Sequence, residues 1–301
     1  MAVPEVLDRI PLLAGVPRSV VELPGGLTNR NYKVTTPGGV YVVRVSASDG
    51  SLLAIDRDAE HAASVAAARA GVGAPVHDYL PDEGVLVVGY LPGRTFTEAD
   101  LRDSANLPRV AQVCRRLHTG PRFVRDFDMF DIQRHYLAIV RERGFRLPAG
   151  YLDFMPQVAQ LRKCLEIRAE GTVPCNNDLL PGNIIDDGER LWLIDYEYAG
   201  NNDPCFELGN AWSESDLSLD QLEELVTAYY GRRLRNKIAR ARLLGLMSKY
   251  GWTLWASIQD GANDAIDFDF WSWGMEKYER AVAEFGGPDL PRLMDEAARA
   301  D

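Results

Sequence analysis

The chain opens with short runs of alternating apolar and polar residues. SVVELPGG, NYKVTT and VYVVRVSA are β-branched stretches separated by Gly-Gly pairs at Gly25-Gly26 and Gly38-Gly39, and they predict strands joined by turns. IDRDAEHAASVAAARAG follows with alanines spaced along one side, which predicts a helix ending at Gly71. PVHDYL and VLVVGYL predict two further strands. From residue 91 the period changes to about 3.6. ADLRDSANLPRVAQVCRRLHTG, MPQVAQLRKCLEIRAEG and most of 218–285 predict helix, interrupted by strands around Asn183 to Glu197. The expected organisation is a β-rich lobe over 1–90 and a helical lobe over 91–301, with the boundary near Tyr90–Gly93.

Composition then narrows the class. At 301 residues, 46% hydrophobic and 26% charged, the chain is ordinary globular material with room for two lobes. A net charge of −11 argues against a nucleic-acid partner and favours a cationic ligand. Cys114, Cys164, Cys175 and Cys205 show neither a CxxC pair nor metal-ligand spacing, which suits a reducing compartment. MAVPEVLDRIPLLAGV lacks a basic start before an apolar core, so it does not read as a secretory signal. Charges interrupt the longest apolar stretches well short of a membrane-spanning length. A cytoplasmic protein without membrane insertion is expected.

Candidate chemistry gathers on CNNDLLPGNIIDDGERLWLIDYEYAG, residues 175–200. Asp187-Gly188 is a tight-turn signal between the apolar runs NIID and LWLID. Asn183 and Asp195 lie six residues either side of Glu189, so a hairpin centred there brings both to its open end. An amide oxygen beside a carboxylate suits Mg²⁺. Asp178 precedes Asn183 across a loop containing Pro181 and Gly182, where a carboxylate can accept a proton from a hydroxyl. Asp178 and Asn183 alone would read as a decorated turn. With Asp195 and Glu197 at the mirrored end, the reading shifts to a reaction centre.

NNDLLPGN followed by IDYEYAG resembles the catalytic segment of the choline/ethanolamine kinase family, in the protein-kinase-like, aminoglycoside phosphotransferase superfamily. The resemblance implies a two-lobed α+β fold, with a small antiparallel sheet and one main helix beside a larger helical lobe. It implies ATP and Mg²⁺, with Asp178 as catalytic base, Asn183 and Asp195 as metal ligands, and Glu197 as a second acid beside them. The family's histidine falls on Asn176 here. An asparagine still donates and accepts hydrogen bonds, with shorter reach and no titration. GGLTNRNYKV resembles the phosphate-covering loop, which assigns Gly25, Gly26, Leu27, Thr28 and Asn29 to the nucleotide. Glycines there let backbone N–H groups approach phosphate closely. Arg44 sits within an apolar strand and needs a partner. Glu60 in the next helix is the candidate, matching the strand-cation to helix-glutamate pair of kinases. Gly89, Tyr90 and Leu91 fall where the family holds the adenine edge.

The acceptor side is aromatic. Trp252 and Trp255 share a helical face, IDFDFWSWGMEKYERA follows with Trp273, and Trp212 lies two residues before Glu214. Indole faces around a carboxylate attract a methylated ammonium through cation–π contacts. Any one tryptophan alone reads as core. W-x-x-W before IDFDFWSW resembles the segment lining the family's choline pocket, which assigns Trp252, Trp255 and Trp273 to the acceptor and Glu214 to its amine. FELGN, through Glu207 and Asn210, resembles the structural run leading there. His61, His77, His118 and His135 are scattered and read as surface or capping residues. The implied function is a kinase that phosphorylates the hydroxyl of a small amino alcohol, choline first. Ethanolamine, thiamine, an aminoglycoside, or a pseudokinase that binds without chemistry are the alternatives. Oligomeric state stays open, with a homodimer allowed.

Overall fold

The computed structural model describes residues 3–24, 26, 28–46, 50–263 and 266–301. The alternating runs form one antiparallel sheet from β1 (Ser19–Leu23), β2 (Asn29–Thr36), β3 (Gly39–Ser46), β4 (Val76–Leu80) and β5 (Val85–Gly89), in the order β1-β2-β3-β5-β4. Alternation divides its side chains between two faces. Tyr32, Val34, Val43, Val85 and Val87 are buried on one face against Val6, Leu7, Ile10 and Leu13. The first two of these covering residues lie on α1 (Val3–Arg9), a helix the alternating pattern does not announce. Burying each such side chain contributes about 1.5–3 kcal/mol. The intervening residues Val42, Arg44, Leu86 and Val88 line the main cavity of the molecule.

Helix α2 (Arg57–Arg69) begins at Asp56, whose side chain accepts a hydrogen bond from the Ala59 amide at 3.0 Å. Its buried Ala63, Ala66 and Ala67 belong to the same apolar core as the helical part of the chain. This helix therefore joins the two parts and carries Glu60 toward Arg44.

The remainder is mostly helical: α3 (Glu98–Arg102), α4 (Leu107–His118), α5 (Met129–Arg143), α6 (Met155–Ile167), α7 (Pro204–Glu214), α8 (Leu219–Tyr230), α9 (Arg235–Ala262), α10 (Phe270–Phe285) and α11 (Leu290–Ala298). The stretch expected as one helix over 99–120 is divided, because Asp103 turns extended and Pro108 starts α4 afresh. Strand structure also reaches beyond the expected segment. β6 (Arg94–Thr95) pairs with β8 (Ile184–Asp186), which pairs with β9 (Leu191–Leu193), while β7 (Val173–Cys175) pairs with β10 (Gly200–Asn202). These pieces are too short to show an alternating signal.

Helix α9 is the central element, 28 residues long and buried without interruption from Leu243 to Gln259. Gly209 of α7 and Gly245 of α9 allow the two backbones to touch. A Cβ on Gly209 would lie 2.1 Å from the Ala241 carbonyl oxygen, and one on Gly245 2.6 Å from that of Gly209. Among the described residues, no helix is long and apolar enough to cross a membrane.

Candidate active site

The hairpin forms where Asp187-Gly188 predicts it. The Asp187 Oδ1 accepts from the Glu189 and Arg190 amides at 2.9 and 2.8 Å, and Gly188 takes φ 91°. Arg109 of α4 clamps Asp186 through two hydrogen bonds of 2.8 and 2.7 Å. The register differs by one residue from a hairpin centred on Glu189. Ile184 faces Leu193, and the Ile194 amide donates to the Asn183 carbonyl at 3.0 Å. Asp195 therefore stands one position past the mirror of Asn183. It adopts φ 62°, a left-handed conformation costly for a non-glycine residue, and the strand alternation ends there.

Two buried asparagines hold the loop before the hairpin. Asn176 donates through Nδ2 to the carbonyls of Ile194 (3.2 Å) and Asp195 (2.8 Å), and its Oδ1 accepts from the Asp178 amide at 3.1 Å. It thus ties the loop carrying Asp178 to the far end of the hairpin, work that needs hydrogen bonds and no titration. Asn177 takes φ 67° and donates to the carbonyls of Cys175, Tyr198 and Gly200. Glu207, fully buried in α7, accepts the Asn176 and Asn177 amides at 2.9 and 2.8 Å. Asn210 accepts the Leu179 amide at 2.6 Å. Glu207 and Asn210 are therefore anchors of the loop before the hairpin, a closer role than leading the chain toward Glu214. His118 is corrected from a surface or capping residue to a buried one, with its Nδ1 2.7 Å from the Tyr229 hydroxyl. It lies near Cys175 and Glu207, but both Glu207 oxygens are taken by the backbone amides.

A single cavity of about 520 Å³ is lined by Asp178, Asn183, Asp195 and Glu197, by Gly26, Thr28, Asn29 and Arg44, by Gly89, Tyr90 and Leu91, and by Glu214, Trp252, Trp255 and Trp273. Glu60 stands one step behind, and Gly25 and Leu27 lie outside the described residues. Gly26 answers a steric demand: a Cβ there would sit 2.0 Å from the Asn29 carbonyl oxygen.

Glu197 is the hub of one end of the cavity. It accepts from Thr28 Oγ1 at 2.8 Å and Asn29 Nδ2 at 2.9 Å, and lies 3.3 Å from both Arg44 Nη2 and Arg57 Nη1. Arg44 pairs with Glu60 at 3.2 Å, as its strand position requires, and with Asp195 at 2.7 Å. Burial works against the Arg44 charge, but Asp195, Glu60 and Glu197 outweigh it and hold the guanidinium above its usual range. Arg57, which also pairs with Glu60 at 2.6 Å, is a second cation that the sequence reading misses; its signal is the Arg-x-x-Glu spacing opening α2. Burial pushes the Glu197 carboxyl up, with Asp195 adding to the shift. Burial also pushes Asp178 well above the carboxylate range, reinforced by Asp195, Glu214 and Glu197 and opposed by Lys277. Asn183 donates its amide to the Asp178 carbonyl at 2.8 Å, which leaves its side-chain oxygen as a ligand. That oxygen and the Asp195 carboxylate are hard donors of the kind that suit Mg²⁺, whereas both Glu197 oxygens are engaged by Thr28, Asn29, Arg44 and Arg57.

At the other end, the Trp255 Nε1 donates to the Tyr198 hydroxyl at 2.7 Å, and Tyr198 packs edge-on to Trp252 at 4.9 Å. Trp255 and Trp273 meet edge to face at 5.5 Å. Tyr198 lines the cavity too; its place two residues after Tyr196 in IDYEYAG is the signal that could have found it. Glu214 is engaged by Lys277, a partner the sequence does not suggest.

The model of the phosphotransferase enzyme family matches residues 19–244. A choline/ethanolamine kinase family protein from Mesorhizobium loti superposes with a TM-score of 0.84 at 31% identity, over 98% of this chain and 97% of that one. Protein LicA of Haemophilus influenzae is 29% identical over 250 residues, 78% of this chain and 72% of LicA. Thiamine kinase of Escherichia coli is 32% identical over 182 residues, 58% of this chain and 61% of that protein. The fold is the two-lobed α+β fold of protein-kinase-like enzymes, and the chain belongs to the phosphotransferase enzyme family and, within it, to the choline/ethanolamine kinase family.

Proposed function

We propose that this protein transfers the γ-phosphoryl group of ATP to the hydroxyl of a small amino alcohol, with choline the best match. One observation carries the reading: a single cavity joins an acid and arginine cluster under a glycine loop to a box of three tryptophans, with Asp178 lining it. Asp178 is the group that takes the hydroxyl proton as the oxygen attacks phosphorus and the bond to ADP breaks. Its raised proton affinity suits that task. Asn183 and Asp195 would hold Mg²⁺, which when bound neutralises phosphate charge. Arg44 lines the same cavity and would face those phosphates, Arg57 braces Glu60 and Glu197 behind it, and Thr28 and Asn29 position the loop through Glu197.

The connector Gly89–Leu91 is the adenine edge in this reading. The Gly89 and Tyr90 amides are already bonded to the carbonyls of Pro75 (2.8 Å) and Val40 (3.0 Å), so the Leu91 amide is the donor left for the base. Residues 1–90 and 91–301 are the two lobes, closing on this connector. Four buried free cysteines suit a cytoplasmic protein.

Likeness to thiamine kinase supports a second acceptor, since flat rings also stack between indoles. A polycationic aminoglycoside fits less well, because Lys277 already offsets the Glu214 charge. The test is a phosphorylation screen with Mg-ATP against choline, ethanolamine, thiamine and aminoglycosides. Choline is expected to give the highest kcat/KM. Preference for another acceptor overturns the choline assignment, and nucleotide binding without turnover on any of them overturns the enzyme reading.

A further inference from the structure

The acceptor end of the cavity carries a cation of its own. Glu214 lines the cavity with a side chain only 3% exposed, and its Oε2 accepts from the Lys277 ammonium. That ammonium also lies 4.2 Å from the centroid of the Trp273 ring. The carboxylate and one of the indoles expected to hold a cationic head group are thus both engaged by the chain itself. Lys277 does not line the cavity; it stands behind the wall, 9% exposed. The other Glu214 oxygen, Oε1, is buried with no hydrogen-bond partner among the described residues. One oxygen is anchored by the lysine, and the other is buried without a compensating donor.

We propose that Lys277 is a specificity-determining residue of this pocket, a built-in counter-ion that cancels the Glu214 charge from behind and leaves Trp252 and Trp255 to hold the acceptor's head group. The proposal rests on the amino-alcohol reading above. A ligand cation approaching Glu214 meets a close ion pair, whose field falls off faster than that of a lone carboxylate. It also meets repulsion from the lysine. Affinity is therefore lower than an unpaired buried carboxylate would give, and a polycation gains little. A purely structural Lys277 makes the opposite prediction: without its anchor Glu214 moves, and cation binding weakens.

The experiment reads binding without turnover. Tetramethylammonium has the quaternary head group and no hydroxyl, so calorimetry reports its Kd whether or not the protein is a choline kinase. Lys277→Met removes the charge and keeps an unbranched stem, and is expected to tighten tetramethylammonium binding about fivefold or more. The double variant Glu214→Gln with Lys277→Met leaves no unpaired buried charge and is expected to bind within about threefold of the unaltered chain. If the single variant does not fold, the double variant carries the test. Unchanged or weaker binding by Lys277→Met, or a loss of about tenfold in the double variant, overturns the proposal. Binding in the expected order without choline phosphorylation refutes the choline reading and leaves the role of Lys277 standing. Choline phosphorylation without the expected order refutes Lys277 alone, and no binding by any of the three proteins overturns both.

Discussion

At the scale of single residues, burial of charge at the site opposes stability. Asp178 is the clearest case, because its carboxyl is raised well above the ordinary value of 3.8, first by burial and then by Asp195, Glu214 and Glu197. Below that value the folded and unfolded chains are both protonated and the group is neutral to stability. Above it the unfolded chain ionises first, so the folded state loses stability as pH rises toward the folded pKa. Asp178→Asn, without nucleotide or metal, should therefore raise Tm at pH 7, with the gain shrinking toward pH 4. The same variant should lose about a hundredfold or more in turnover. A Tm at or below that of the unaltered chain at pH 7 would sink the burial argument. Lys249 makes a parallel case with opposite charge. Burial lowers its pKa to about 8 from an ordinary 10.5; Glu284 and Glu214 oppose the shift, and Lys277 and Arg242 add to it. Its ammonium lies 3.7 Å from the Trp212 ring centroid. The cost is full below the folded value and is relieved as pH climbs from about 8 to about 10.5, where the folded chain has released the proton. Lys249→Met should stabilise by about 1–3 kcal/mol at pH 7 and flatten that alkaline rise in Tm. Equal pH profiles for the two proteins would count against it.

At the scale of elements, the hairpin and its ends are legible in the chain, and the loop before it is only half legible. Asp187-Gly188 marks the turn, and the positions of Asn183, Asp195 and Glu197 follow from it to within one residue. The one-residue offset comes from a four-residue turn over 187–190, which leaves no signature in a run of charged residues. The asparagines could be read only as a departure from a family pattern. Their contribution depends on partners 18 to 31 residues away: Ile194 and Asp195 for Asn176, and Glu207 for both amides. Each buried hydrogen bond contributes about 1 kcal/mol net, and an orphaned partner costs more. Asn176→Ala removes three such bonds at once. It should lower kcat by about tenfold or more and destabilise the protein by roughly 2–4 kcal/mol, while ATP affinity changes less. A variant with unaltered kcat would show that the tie between loop and hairpin is not needed. The loop proposed to cover the phosphates offers the complementary test. A Cβ on Gly26 would collide with the Asn29 carbonyl at 2.0 Å, and Asn29 holds Glu197. Gly26→Ala should raise the KM for ATP about tenfold with little effect on Tm, since the strain falls in an exposed loop.

At the scale of the whole molecule, both ends of the site hang on one helix crossing. Helix α7 carries Glu207 and Asn210, which hold the loop bearing Asp178, and ends at Glu214 in the wall of the cavity. It reaches those places by lying directly on α9, which carries Trp252 and Trp255. Hydrophobic periodicity predicts that such helices exist, but it does not reveal how closely two of them approach, because that distance depends on which small residues meet across the crossing. Gly209 and Gly245 are unremarkable glycines in the sequence and become a contact only when the helices cross. The atoms facing an added Cβ on Gly209 are the Ala241 backbone at 2.1 Å and the Gly245 amide at 2.7 Å, and no flexible side chain can yield there. Gly209→Ala must therefore push α7 off α9, displacing the loop anchors and the acceptor wall together. The expected cost is about 3 kcal/mol, read as a lower urea midpoint at unchanged m. Gly182→Ala, where an added Cβ meets nothing within 4 Å, is the control and should leave the midpoint where it is. Loss of turnover in folded Gly209→Ala should exceed its loss of ATP affinity, because Asn29 and Arg44, proposed to face the nucleotide, lie on β2 and β3 and not on α7. Equal loss of both would mean that the two ends of the site are coupled more tightly than this crossing alone requires.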